Sequence, residues 1–309
     1  MNTLRQAAEE YLAMRRGLGY KLLQDGRLLG QFVSFAEEHG LNHVTVEAAL
    51  TWAMLPTSAD PSWWAKRLTV VRVFSRHLAA LDERTEVPPE DLLPRGHERS
   101  APPFLYSPEQ IIALITAAGT LASPLRAATF TAFVGLMAVA GLRTGEAMAL
   151  DRDEADLTNG VLTIRDTKFG KSRLVPLHHS TIDQLRNYAL RRDELCPRPH
   201  TPAFFLSGAG TRLIHINASK TFNQLLTAAG IQAPPGAPKP RLYDLRHTFA
   251  VSTLITWYSQ GRDVAHLLPS LSTYMGHISP ATTYWYLHAC PELIAAAAGR
   301  LDDAWKEPA

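Results

Sequence analysis

The apolar positions of the first eighty or so residues recur at helical spacing. Leu4, Ala7, Ala8, Tyr11 and Leu12 share one face, and Gly17-Leu18-Gly19 ends the run. A second helix is predicted from Leu22 to Glu38, with Leu28, Leu29, Phe32, Phe35 and Ala36 on one side and Gly40 as its stop. Thr45 is placed to cap a short helix to Met54, with Glu47 in the first turn, where the helix dipole favours an anion. After a loop from Pro56 to Pro61, Ser62 is expected to cap a longer helix to about Leu81. Its stripe is Trp64, Leu68, Val71, Phe74, Ser75 and Leu78, as in the core of a helix bundle. Lys66, Arg67, Arg72 and Arg76 fall on its other faces, where phosphate contact and a solvated basic face are both open.

Periodicity fades over residues 83–106, where Pro88, Pro89, Pro94, Pro102 and Pro103 alternate with charged residues. The expected organisation is therefore a helical domain at 1–92, a linker at 93–106 and a larger domain at 107–309. That second domain opens on Ser107-Pro108-Glu109, with cap, proline and acid in helix-start order. Helices are predicted from Glu109 to Ala118 and from Leu125 to Ala140. The chain then alternates through Val161-Leu162-Thr163-Ile164-Arg165, turns at Lys168-Phe169-Gly170-Lys171 and returns through Arg173-Leu174-Val175-Pro176-Leu177. Beyond this hairpin it reads as helical again, with a Pro-rich loop from Ala233 to Pro240. The fold class expected is mainly α: a helical bundle joined to a mainly helical domain with a small antiparallel hairpin.

Composition narrows the function. Of 309 residues, 46% are hydrophobic and 19% charged, which excludes a disordered chain. Net charge is +2, but residues 1–93 carry 10 Lys+Arg against 12 Asp+Glu, so the basic excess lies C-terminal to them. Cys196 and Cys290 are far apart, each followed by Pro, with no CxxC or metal spacing. That pattern predicts free thiols in a reducing cytosol and neither a disulfide framework nor a zinc site. The charged N-terminus lacks an apolar signal core, and the apolar stretch Ala127–Leu142 is shorter than the ~20 residues of a membrane span. No phosphate-binding GxxxxGK[ST], dinucleotide GxGxxG, HExxH or GxSxG motif is present. A cytoplasmic protein without a membrane partner is expected.

Three segments remain that could carry chemistry. Arg143 stands in AGLRTGEAMAL, after an apolar helix and at the start of another. Arg246 stands in LYDLRHTFA, among apolar neighbours, where a guanidinium needs a buried partner: an internal carboxylate or a bound phosphate would serve. In YMGHISPATTYWYLH, Gly276 is set to turn the chain, Ser279 to cap and Pro280 to open a helix carrying Tyr284, Tyr286 and His288.

In this order Arg143, Lys168, Arg246, His277 and Tyr286 resemble the catalytic signature of the tyrosine recombinase, or phage integrase, family. The boxes GLRTGE, TKFGKSRLVPL, LRHTFA and GH…TTYWY carry the resemblance, which spans residues 107 to about 290. It implies a helical core-binding domain ahead of a catalytic domain, clamped on double-stranded DNA at specific recombination sites. It also implies a monomer when free, a homotetramer on DNA, room for partner recombinases, and a bacterial, nucleoid-associated setting. Two arginines would clamp the phosphodiester, Tyr286 would attack phosphorus, Lys168 would protonate the departing 5′-oxygen and His277 would donate to the phosphate. No metal and no cofactor is implied, because the guanidiniums neutralise charge and the covalent bond conserves energy. Tyr286, nine residues beyond His277, fits the nucleophile, leaving Tyr284 to packing. Glu146 is read as a helix-start acid that orients an arginine, and His247 as structural. Lys171 and Arg173 join Lys66, Arg67, Arg72 and Arg76 as candidate DNA contacts.

Two features depart from the family pattern. Tyr243 stands where a histidine is usual, and a phenol is a poorer acid–base than imidazole at neutral pH. The stretch between Arg246 and His277 is long, as in transposon-borne members. Residues 291–306 have helix propensity either to dock on a neighbouring protomer or to fold back on their own domain. A silent DNA-binding factor and a type IB-like topoisomerase remain the rival readings.

Overall fold

The computed structural model describes residues 3–93, 103–165 and 172–277, together with Thr283. The chain divides into two compact units, Met1–Ser100 and Ala101–Ala309.

The first unit is a bundle of α1 (Leu4–Gly17), α2 (Leu23–Glu38), α3 (Val46–Met54) and α4 (Pro61–Leu78). Each start has a local cause. Thr3 and Gln6 form a reciprocal capping box on α1, and the Thr45 hydroxyl accepts the Ala48 N–H of α3. Helix α4 is capped by Asp60 rather than by the expected Ser62: the Asp60 carboxylate accepts the Ser62 N–H, and Pro61 fills the first helical position. Leu29, Phe32, Ala36, Trp52, Leu68, Val71 and Phe74 are sealed in the core.

Residues 83–90, expected to lead into the linker, belong to this bundle. The Glu86 N–H donates to Val44 O, and its carboxylate accepts the Val46 N–H at 2.7 Å. Arg72 donates through Nε to Pro88 O and through Nη2 to Pro89 O, both at 2.8 Å. Prolines lack an N–H but keep a carbonyl, so a proline run packed on a helix bundle is held by side-chain donors.

The second unit starts before Ser107. Tyr106, expected as linker, is 3% exposed; its N–H donates to Thr248 Oγ1 and its hydroxyl to Arg241 O. Ser107 and Gln110 then form a capping box on α5 (Pro108–Gly119). Helix α6 (Pro124–Ala140) packs against α5 and buries Phe133, Leu136 and Met137. The short α7 (Thr144–Ala149) follows. Strands β1 (Ala155–Asp156), β2 (Val161–Ile164) and β3 (Arg173–Pro176) make an antiparallel sheet in that order, with Ile164 opposite Arg173 and Val161 opposite Pro176. The hairpin was expected; β1, two residues long, is too short to show alternation. Helices α8 (His179–Leu195), α9 (His215–Ala228), α10 (Asp244–Ser259) and α11 (Val264–Met275) complete the described unit, with α8 and α10 also against α6. The fold is mainly helical with a small antiparallel sheet, as expected. Among the described residues no helix is long and apolar enough to cross a membrane.

Candidate functional site

The site is built on two helix ends. Both α6 and α11 stop at a glycine in the left-handed region, Gly141 (φ 56) and Gly276 (φ 69). A helix leaves its last carbonyls without intrahelical partners and with partial negative charge. At α11 the Gly276 and His277 amides return to Thr273 O and Ser272 O, each at 2.9 Å. The next three carbonyls each accept from a different arginine. Tyr274 O takes Arg173 Nε at 2.8 Å, Met275 O takes Arg246 Nη2 at 2.8 Å, and Gly276 O takes Arg143 Nη2 at 2.6 Å.

Each arginine arrives on a different element. Arg143 precedes α7 as its N-cap, with 27% of its side chain exposed. Arg173 opens β3, with 12% exposed. Arg246 lies on α10, wholly buried, and its Nη1 donates to Gly141 O at 2.6 Å, joining the two helix ends. A carboxylate or a bound phosphate was expected beside Arg246; helix-end carbonyls, carrying partial negative charge, take two of its bonds.

Glu146 joins two of the three guanidiniums. Its Oε1 accepts from Arg143 Nη1 at 2.6 Å, and its two oxygens accept from Arg173 Nη1 and Nη2 at 3.1 and 2.8 Å. Oε2 also accepts the Arg143 N–H at 3.0 Å, which fixes the entry into α7. Burial would raise the Glu146 carboxyl, but the Arg173 and Arg143 hydrogen bonds and the Arg173 charge outweigh it and hold it below its ordinary value. Gly276 is required twice over. Its φ favours glycine, and a Cβ there would stand 2.7 Å from Arg173 Nη1 and 3.3 Å from Arg143 Nη1.

His277 follows directly. Its Nδ1 lies 2.7 Å from Thr283 Oγ1, and burial with the Arg246, Arg143 and Arg173 charges pushes it down to about 4, so the ring is neutral at pH 7. Tyr243 is half-exposed just ahead of α10, its ring edge-on to His247 at 4.9 Å between centroids. Burial also lowers His247 to about 4, against the opposing charge of Asp244. Asp244, nearly sealed, accepts from the Arg241 N–H at 2.8 Å and from its guanidinium, which locks the start of α10.

Arg143, Arg246 and His277 are thus brought together, with Glu146 beside them. Lys168, Lys171, Tyr286, Tyr284, His288 and the segment 291–306 lie outside the described residues. Three candidate DNA contacts are turned into the fold. Arg173 turns inward to Glu146 and the end of α11. Arg67, beneath the Trp52 ring at 3.8 Å, donates to Trp52 O at 2.7 Å, and Arg72 holds the proline run; neither reaches solvent to an appreciable extent. Lys66 and Arg76 remain on the surface, paired with Asp25 and Glu90 at 2.7 Å. What the sequence reading missed is Arg173 as part of the site and the glycine carbonyls as acceptors. The glycines stood in the GLRTGE and GH boxes, but nothing in sequence says which carbonyl a guanidinium will find.

A helical unit that gathers three guanidiniums at one helix end, two of them on one carboxylate, with a neutral histidine alongside, is suited to holding an anion of phosphate type. Residues 105–292 match the phage integrase family. The chain is 46% identical over 315 residues to a Sinorhizobium fredii protein named as an integrase/recombinase, covering 99% of each. It is 29% identical over 244 residues to the tyrosine recombinase XerD of Caulobacter vibrioides, covering 76% of this chain and 73% of that one. Two solved structures share the fold. The Tn1549 transposon integrase in complex with transposon right end DNA aligns with TM-score 0.66 at 16% identity, covering 97% and 100%. The XerH recombinase bound to palindromic difH substrate aligns with TM-score 0.63 at 18% identity, covering 91% and 78%. This chain belongs to the phage integrase family, the tyrosine-type site-specific DNA recombinases.

Proposed function

We propose that the chain breaks and rejoins DNA strands through a 3′-phosphotyrosine at Tyr286, and that its substrate is the end or junction of a mobile element. The observation that carries this reading is the meeting of Arg143, Arg173 and Arg246 at the last carbonyls of α11, immediately before His277. The Tyr286 oxygen attacks phosphorus, the bond to the 5′-oxygen breaks, and Lys168 gives that oxygen its proton. The 5′-hydroxyl of a partner strand reverses these steps, so no ATP is consumed.

Arg143, the guanidinium that solvent reaches most readily, takes a non-bridging oxygen. Arg246 is closed off in the free chain, so its contact with phosphate comes with a rearrangement around it when DNA docks. Neutral His277 holds Thr283 through Nδ1; with that hydroxyl as the donor, Nε2 carries the ring proton and offers it to the phosphate. Cationic surroundings favour the phenolate of Tyr286 over a phenol of pKa about 10. The helical unit at the N-terminus grips the duplex largely through phosphates, and four protomers assemble on two sites. The integrase/recombinase name of the S. fredii relative and the transposon integrase of similar fold support the mobile-element reading.

The test is a suicide trap: a randomised pool of nicked duplexes incubated with wild type and Tyr286→Phe, chelator present. A denaturation-resistant adduct in wild type alone is expected. DNA binding without any adduct would replace this reading with a silent architectural one.

A further inference from the structure

Glu146 presents a difficulty for a phosphate clamp. A carboxylate bonded to Arg143 cancels the charge that Arg143 is to offer, and the pair would meet phosphate as a neutral unit. Arg173 changes that balance. It takes both oxygens of the same carboxylate, as a fork, while the Arg143 guanidinium takes one of them. The cluster of two guanidiniums and one carboxylate is then net positive, and Glu146 holds Arg143 in place without neutralising the site.

Arg173 also has a place in the fold that suits this role. It is the first residue of β3, where the hairpin returns from residues 166–171, and its Nε holds Tyr274 O. One side chain therefore fixes the base of the hairpin, the end of α11 and the carboxylate that orients Arg143. Its inward direction and 12% exposure leave little of it for the duplex surface.

Resting on the recombinase reading above, we infer that Arg173 is a positioning and charge-balancing residue: it engages Glu146 so that Arg143 keeps its positive charge for the scissile phosphate. It touches neither the phosphate nor the nucleophile. Its effect on the reaction passes through Glu146, so its removal does most harm while Glu146 is still there.

The experiment is a double-mutant cycle with a nicked duplex that wild type has selected from the randomised pool. Single-turnover adduct formation at saturating duplex is measured for Arg173→Gln, Glu146→Gln, the double variant and Arg173→Lys, with the Kd for the same duplex and the thermal midpoint alongside. Arg173→Gln should slow cleavage about 10²-fold, the size expected for losing one electrostatic stabiliser, with Kd little changed. The double variant, which removes the compensating charges together, should react about tenfold faster than Arg173→Gln alone. A structural role predicts the opposite, with the two losses multiplying. Arg173→Lys keeps the charge but loses the fork, so it should recover part of the loss and react faster than Arg173→Gln.

A double variant as slow as Arg173→Gln, or slower, would overturn the inference. So would a folded Arg173→Lys slowed by about 10²-fold or more against wild type, and that comparison decides if the glutamine variant fails to fold. Adducts from wild type with an additive cycle would sink the role of Arg173 and leave the recombinase reading standing. No adduct from wild type would sink both.

Discussion

The two units treat inward-turned arginines in the same way locally and to different ends. Arg67 and Arg72 in the first unit and Arg143, Arg173 and Arg246 in the second all donate to backbone carbonyls. In the first unit each arginine closes its own gap: the end of α3 for Arg67, a proline run for Arg72. In the second, three arginines from three elements converge on three successive carbonyls, and two of them share one carboxylate. Burial of a guanidinium is therefore not itself a sign of function. Convergence is the feature on which the proposed function rests: a fold can seal a helix end with one donor, while gathering three concentrates more positive charge than Glu146 alone offsets.

The contrast is tested most severely at Arg246. Arg246→Ala leaves two buried carbonyls without donors and should lower the stability of the second unit by about 3 kcal/mol, while abolishing adduct formation. Denaturant melts and the trap assay read the two effects. Gly276→Ala should cost about 1–2 kcal/mol from the left-handed φ and push the Arg173 and Arg143 guanidiniums off their carbonyls, so cleavage falls at least about tenfold. Arg72→Ala should cost the first unit about 1–2 kcal/mol yet leave the cleavage rate at saturating DNA unchanged; a rate loss there would erase the distinction between the units.

Acid should sharpen it further. His277 and His247 titrate near 4 in the fold against about 6.5 unfolded, so the unfolded chain binds more protons between those values. Their contribution is whole above about pH 6.5 and is lost as pH falls to about 4, with uptake of up to two protons on unfolding. Glu146, lowered in the fold, adds stability that is present above its unfolded value and is lost as pH falls through its folded one. Stability measured against pH should show the histidine slope in the second unit. The smallest effect is at Lys66, whose exposed pair with Asp25 is worth less than about 1 kcal/mol; Lys66→Ala should leave stability alone and reduce the salt slope of DNA binding by about one if it meets phosphate.

Much of this fold is written in local signals. The helices of the first unit, the hairpin strands and the helix starts at Thr45 and Ser107 follow from caps and period. Asp60 displaced Ser62 as a cap because Pro61 fills the first helical position better than Ser62 precedes it. Strand β1 escaped because two residues cannot show a period. For the site, the residues Arg143, Arg246 and His277 were legible only through the order of the boxes, since each alone resembles an ordinary helix-start or core residue. Arg67, Arg72 and Arg173 turn inward without a sign in the sequence for a common reason: the partners of each, a carbonyl or a carboxylate many residues away, leave no trace in the local pattern.

The most direct measurement is the mass of the covalent peptide. Adduct trapped on the nicked duplex would be digested with nuclease and protease and the residual nucleotide located by tandem mass spectrometry. The account predicts a nucleotide joined through its 3′-phosphate to the peptide at Tyr286, with a free 5′-hydroxyl on the released strand. Attachment at another residue, or through a 5′-phosphate, would contradict it.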